Sequence, residues 1–181
     1  SLSPIPNNDG LSKICFNKEE YVILVSFDGF RYDYMERVDT PYFDFIKMNG
    51  VKAKSLKPIF PTFTFPNHYA IATGCYSNKH KILGNEFYSV KRQAYYSYKN
   101  PNTVKDSSWY KEEPIWTTAE KNSIISATYF WVGSEANIGG YRPSYYKNYT
   151  PGINPKDKVD QVINWFKLPL KKRPRLVCLY F

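Results

Sequence analysis

The sequence predicts an α/β fold: a mostly parallel sheet flanked by helices on both faces. Three observations carry this. Residues 21–27 are a continuous apolar, β-branched run, the pattern of a strand buried on both faces. Two further strand-like runs follow, at residues 125–130 and 176–181. Between them lie helical patterns with recognisable starts and stops, and strands alternating with helices imply parallel βαβ units.

Taken in order, residues 1–19 read as an irregular leader, with Pro4, Pro6 and the turn-forming Asn7-Asn8-Asp9-Gly10. After the first strand, Thr40-Pro41 is a helix start. Tyr42, Phe45, Ile46 and Asn49 then share one face, and Gly50 supplies the stop. A second helix is expected from Pro66 through Tyr69, Ala70 and Ala72 to Gly74, and a third from Pro114 to Asn122. Asn154-Pro155 opens another, in which Val159, Val162, Ile163 and Phe166 keep helical spacing. Residues 86–110, rich in Tyr, Lys and Ser, read as a surface loop or short hairpin.

Composition bounds the function. A chain of 181 residues that is 43% hydrophobic can bury a core and is no disordered tail. No run approaches the ~18 apolar residues of a membrane span. No signal-peptide pattern opens the chain, so any such segment is expected to have been removed. A net charge of +9 favours anionic ligands. The densest basic cluster (Lys167, Lys171, Lys172, Arg173, Arg175) is broken by Pro169 and Pro174 and reads as a solvated surface loop. No aromatic-basic interleaving points to a nucleic-acid module. Three cysteines, Cys15, Cys75 and Cys178, cannot all pair internally, and Cys178 in an apolar run reads as a buried, inert thiol. The acceptor triplet Asn148-Tyr149-Thr150 is compatible with a secreted chain glycosylated at Asn148.

Three residues carry candidate chemistry. In parallel sheets, ligands collect beyond the carboxyl ends of the strands, and Asp28 stands at such an end. It is either a cation ligand or part of an Asp-Gly turn. Thr64 precedes Pro66 at an expected helix N-terminus, an anion-binding position; its hydroxyl is either an N-cap or a nucleophile facing phosphate. Asn85 offers a neutral amide of the kind that holds a developing oxyanion.

These residues sit in a recognisable series. Val25-Ser26-Phe27-Asp28-Gly29-Phe30-Arg31, Pro61-Thr62-Phe63-Thr64-Phe65-Pro66-Asn67-His68-Tyr69, Ala72-Thr73-Gly74, His80 and Gly84-Asn85 occur in that order. Trp131-Val132-Gly133-Ser134-Glu135 and Asn164-Trp165-Phe166-Lys167-Leu168-Pro169 follow. Together they resemble the nucleotide pyrophosphatase/phosphodiesterase family of the alkaline phosphatase superfamily, over about residues 21–181.

The resemblance implies an alkaline-phosphatase-like fold, with residues 20–181 as the N-terminal part of one catalytic domain. It implies two zinc ions, with Asp28 and Thr64 as ligands and the remaining ligands beyond Phe181. Thr64 would be the nucleophile, Asn85 would steady an oxyanion, and Phe65 and Tyr149 would stack on a base, with Trp131 nearby. Tyr98 and Lys105 fall close to further pocket positions. Glu135 stands where the family usually has Asp, and Val132 where it has Pro. His80 belongs to the motif as a structural residue. The expected partners are nucleotides, such as nucleoside triphosphates and dinucleotides, and the C-terminal remainder of the same protein, with no stable nucleic-acid complex. The expected location is extracellular, secreted or on a cell-surface ectodomain. A choline-phosphate or lysophospholipid diesterase, or a catalytically silent binding protein, are the alternatives.

Overall fold

Alternate side chains of the last strand point to opposite faces, and this alternation organises the core. The computed structural model describes residues 20–181, so the expected leader and Cys15 lie outside the described residues. Along the chain come β1 (Val22–Ser26), α1 (Pro41–Asn49), α2 (Thr64–Thr73), α3 (Ser77–His80), β2 (Glu86–Ser89) and β3 (Ala94–Ser97). Then follow α4 (Pro101–Lys105), α5 (Ile115–Lys121), β4 (Ser126–Tyr129), β5 (Tyr145–Lys147), α6 (Pro155–Phe166) and β6 (Leu176–Tyr180). Strands β1, β6, β4 and β5 form one sheet in that spatial order, every pairing parallel. Val177 and Leu179 of β6 pack with Val162 and Trp165 of α6 on one face. Cys178 meets Ala72 of α2 and Trp116 of α5 on the other. The expected α/β class with helices on both faces is the observed one.

The remaining pair, β2 and β3, makes an antiparallel hairpin with Phe87 opposite Tyr96. It is more than a surface loop. Tyr96 is fully buried and joins Tyr69 of α2, Trp109 and Tyr110 in a separate aromatic core. The Tyr96 and Tyr110 hydroxyls bond each other at 2.7 Å, which satisfies the polar tips of two buried rings.

Several expectations need correction. The first strand is not buried on both faces: Val22, Ile23 and Val25 are exposed, and only Leu24 packs against a buried cluster. Among the described residues its partner in the sheet is β6, and none of these three side chains belongs to a buried cluster. In α1 the expected face of Tyr42, Phe45 and Ile46 is exposed; Phe43 instead packs on Phe27 and Phe30. In α6, Val159 and Ile163 are exposed, while Trp165 joins Val162 in the core. Helix α2 begins two residues before Pro66, at Thr64, and ends at Gly74 in a left-handed cap (φ 67°) that glycine takes without steric cost. Short α3, α4 and β5 carry too few residues to show a period. Within the basic cluster, Lys167, Lys171 and Lys172 are exposed, whereas Arg173 and Arg175 donate to the carbonyls of Leu168 and Glu20.

Candidate active site

The parallel sheet and α2 together place Asp28 beside Thr64. Asp28 lies just past β1, and its backbone N–H bonds the Phe181 carbonyl at 3.0 Å, continuing the ladder to β6. Thr64 is the first residue of α2. The loop ahead of it is tied down by Asn67, whose side-chain carbonyl accepts from Ile59 N (2.7 Å) and whose amide donates to Phe63 O (2.9 Å). Across the gap the Thr64 hydroxyl donates to Asp28 Oδ2 at 3.1 Å, although 36 residues separate the two in sequence. No side-chain cap bond forms at this helix start, and Phe63 occupies the cap position, so the hydroxyl is not acting as an N-cap.

Asn85 reaches the same spot. Its Oδ1 accepts the Phe65 N–H at 2.9 Å. A backbone N–H can only donate, which assigns the oxygen to that contact and leaves the Nδ2 amide as a donor group in a cleft that Thr64 also lines. Of the first N–H groups of α2, that of Phe65 is taken by Asn85 and Pro66 has none, so the helix start offers an anion the Thr64 N–H, with the Asn85 amide as a further donor.

Two residues outside the expected set complete the arrangement. Tyr180, at the end of β6, donates its hydroxyl to Asp28 Oδ2 at 2.7 Å; burial and this bond raise its pKa, so it stays a donor. His68 bridges β1 and α2. Its Nδ1 lies 2.8 Å from the Thr64 carbonyl and its Nε2 lies 2.7 Å from Ser26 Oγ. Since a carbonyl only accepts, Nδ1 carries a proton and donates. The ring also meets Tyr180 and Trp131 edge-on. His68→Ala removes both bonds and these contacts, and is expected to destabilise by about 2–3 kcal/mol. Denaturant midpoints of the variant check this; a loss under about 0.5 kcal/mol would show that the bridge contributes little.

Thr64 stands between two clefts. One, of about 680 Å³, is lined by Asp28, Phe30, Arg31, Lys57 and Asn67 among others. The other, of about 550 Å³, is lined by Phe65, Asn85, Tyr98, Glu135, Tyr149 and Tyr180 among others. Phe65 is half-buried and Tyr149 is 60% exposed. Trp131 borders this cleft but is 2% exposed, its indole N–H donating to the His68 carbonyl at 3.0 Å. Its main contact is therefore the core. Of the looser expectations, Tyr98 lines the cleft near Phe65, and Lys99 rather than Lys105 lies beside it. Gly133, on the cleft floor at φ 88°, admits no side chain, since a Cβ there would come 2.9 Å from the Tyr69 ring.

Other expected residues have structural places. His80 is fully buried, accepts from Ile82 N–H, and burial pulls its pKa down to about 4, so it is neutral. Burial pushes the Cys178 thiol up to about 12, which makes it inert. Asn148 is exposed.

Asp28 and Thr64 are the zinc ligands that this donor set would supply. Zn–O bonds of about 2.0–2.2 Å put two tetrahedral ligands about 3.3–3.6 Å apart. At 3.1 Å, Asp28 Oδ2 and Thr64 Oγ1 stand at hydrogen-bond distance, a little inside that span, and would have to part slightly to share one ion. Among the described residues no group of three or more His, Cys, Asp or Glu could hold a metal. The fit therefore covers two ligands.

Comparison with known proteins places the chain in a family. Residues 22–181 match the model of the type I phosphodiesterase/nucleotide pyrophosphatase family. The chain belongs to that family. It is 40% identical over 161 residues to venom phosphodiesterase 2 of Crotalus adamanteus, covering 88% of this chain and 20% of that protein. It is 38% identical over 160 residues to human ectonucleotide pyrophosphatase/phosphodiesterase family member 1, covering 87% of this chain and 17% of the relative. Among solved structures, murine ectonucleotide pyrophosphatase/phosphodiesterase 5 superposes with a TM-score of 0.83 at 33% identity, over 90% of this chain and 43% of that one. An inactive form of that murine protein has been solved in complex with AMP. The chain thus spans about a fifth of the sequence relatives' length. The expected alkaline-phosphatase-like α/β class is shared with these structures.

Sequence reasoning missed Tyr180 and Ser26 as site neighbours. The signal was present: both strands that pair with each other end at the same carboxyl edge as Asp28, and residues there converge in a parallel sheet.

Proposed function

We propose that the protein to which this chain belongs hydrolyses phosphodiester and pyrophosphate bonds in extracellular nucleotides, releasing nucleoside 5′-monophosphates. The observation that carries this reading is the 3.1 Å contact of the Thr64 hydroxyl with Asp28, with the Asn85 amide alongside. Family membership and the AMP complex of a structural neighbour support it. Two zinc ions are the proposed cofactors, Asp28 and Thr64 contributing to one of them; when bound, zinc lowers the hydroxyl pKa and neutralises phosphate charge.

Each residue then has a task. Asp28 holds the Thr64 hydroxyl toward the phosphorus. Thr64 Oγ, its proton released to solvent, attacks in line, so that one P–O bond forms while the bond to the leaving oxygen breaks, giving a nucleotidyl-threonine. Asn85 Nδ2 donates to a non-bridging oxygen as charge builds there. Water then cleaves the Thr64–phosphorus bond, returns the threonine and frees the monophosphate. Phe65 and Tyr149 stack on the base from the smaller cleft. Asn148, which is exposed, is the proposed glycosylation site, and a glycan there would have to project away from the cleft.

The test compares substrates on the complete protein. Base stacking on an aromatic is worth ~1–3 kcal/mol, so Tyr149→Ala is expected to raise KM for a nucleoside triphosphate roughly tenfold. A small phosphodiester without a base should be little affected. A wild-type preference for choline-phosphate lipids over nucleotides would overturn the nucleotide reading.

A further inference from the structure

Tyr149 offers a base-stacking surface, but little in its own packing holds it. It lies beyond β5, in a segment that is largely exposed, and among the described residues the ring contact it makes is with the edge of Phe130, with centroids 5.3 Å apart. A stacking ring left to wander would lose entropy on every binding event. Its backbone is nonetheless held: the Glu135 carboxylate, through Oε1, accepts the Tyr149 N–H at 2.8 Å.

The anchor of that bond is rigid. Glu135 sits in the turn after β4, where Trp131, Val132, Ser134 and Ala136 are all buried. Ser134 N–H and its hydroxyl both bond the Trp131 carbonyl, and Ala136 N–H bonds Gly133 O. Gly133 in turn is pressed against the Tyr69 ring. Glu135 therefore projects from a fixed platform in the lining of the 550 Å³ cleft, which Phe65 and Tyr149 also line. A charged acceptor makes the bond to a backbone N–H stronger than a neutral one would. A side chain one methylene shorter would not span the gap without moving the turn.

We infer that Glu135 is a positioning residue for base specificity: by clamping the Tyr149 backbone it sets the gap between Tyr149 and Phe65 into which a nucleotide base slides. The inference rests on the nucleotide reading of the site. Glu135 acts through Tyr149 and touches neither the reacting phosphate nor Thr64.

The experiment measures KM and kcat of the complete protein on a nucleoside triphosphate and on a small aryl phosphodiester lacking a base. Glu135→Ala is expected to raise KM for the nucleotide about fivefold to tenfold. The kcat on either substrate, and KM for the base-free ester, should stay within about twofold. Glu135→Gln keeps an oxygen that can accept from Tyr149 N–H and should restore most of the loss; Glu135→Asp should not. In the Tyr149→Ala background, Glu135→Ala should add nothing, because the two act as one unit. Equal losses on both substrates, or additive losses in the double variant, would overturn the clamp. A wild-type enzyme that treats both substrates alike would instead sink the nucleotide reading on which the clamp depends. A melting curve for each variant separates either result from misfolding.

Discussion

Thr64→Ala in the complete protein is expected to abolish turnover while leaving the fold in place. The lost hydroxyl is half-buried and makes one hydrogen bond, to Asp28. A bond to a carboxylate contributes about 1.5–3 kcal/mol when buried and less where water reaches it, as it does here, so the melting temperature should fall by only several degrees. The helix start should survive, because Phe63 rather than Thr64 occupies the cap position and Asn67 ties down the preceding loop. Turnover should fall on the order of 10⁴-fold or more, the scale on which enzymes lose rate when a covalent nucleophile is removed. Rates on a chromogenic nucleotide ester, with melting curves recorded alongside, check both halves of the expectation. Activity within tenfold of wild type would remove Thr64 from the nucleophile role. A collapsed fold would assign the hydroxyl a structural task that its single bond does not indicate.

The sequence made some of this arrangement visible and hid the rest, for identifiable reasons. Asp28 and Thr64 were legible because each follows a strong local signal: an apolar strand that stops at a carboxylate, and a proline that marks a helix start. Their meeting was legible from the parallel sheet, whose carboxyl edge gathers loops from separate strands. The exposure of β1 was not, since a covered strand and an uncovered one can have the same composition. The inward face of α1 was misread because its packing is decided by two phenylalanines outside the helix, Phe27 and Phe30. Glu135 was visible as an unusual residue in the series, but its bond to a backbone N–H 14 residues away leaves no mark in residue type. His68 was likewise seen as part of a motif, and its bridge from Thr64 to Ser26 became apparent only once β1 and α2 lay side by side.

Asp28 is the residue at which a metal ligand and a turn residue are most sharply distinguished, and Asp28→Asn is the variant that does it. The two readings predict opposite outcomes. As an Asp-Gly turn residue and hydrogen-bond acceptor, Asp28 would be well replaced by asparagine, whose carbonyl can still receive the Thr64 and Tyr180 hydroxyls that now share Oδ2. As a zinc ligand it would not, because an amide brings no negative charge to a divalent cation and is a poorer donor to it. Asp28 is exposed, so the substitution should cost little stability. We expect Asp28→Asn to lower turnover at least about 100-fold, beyond the 10–100-fold typical when only a partner of a metal ligand is lost. Zinc bound per molecule, measured by elemental analysis after gel filtration, should fall in the same variant. The wild-type protein stripped with a chelator should lose turnover and regain it on addition of zinc. Full zinc content in Asp28→Asn together with near-normal rates would leave Asp28 as the carboxylate that orients Thr64 and nothing more. Full zinc content with a large loss of rate would place its contribution in the charge it sets against the Thr64 hydroxyl, 3.1 Å away.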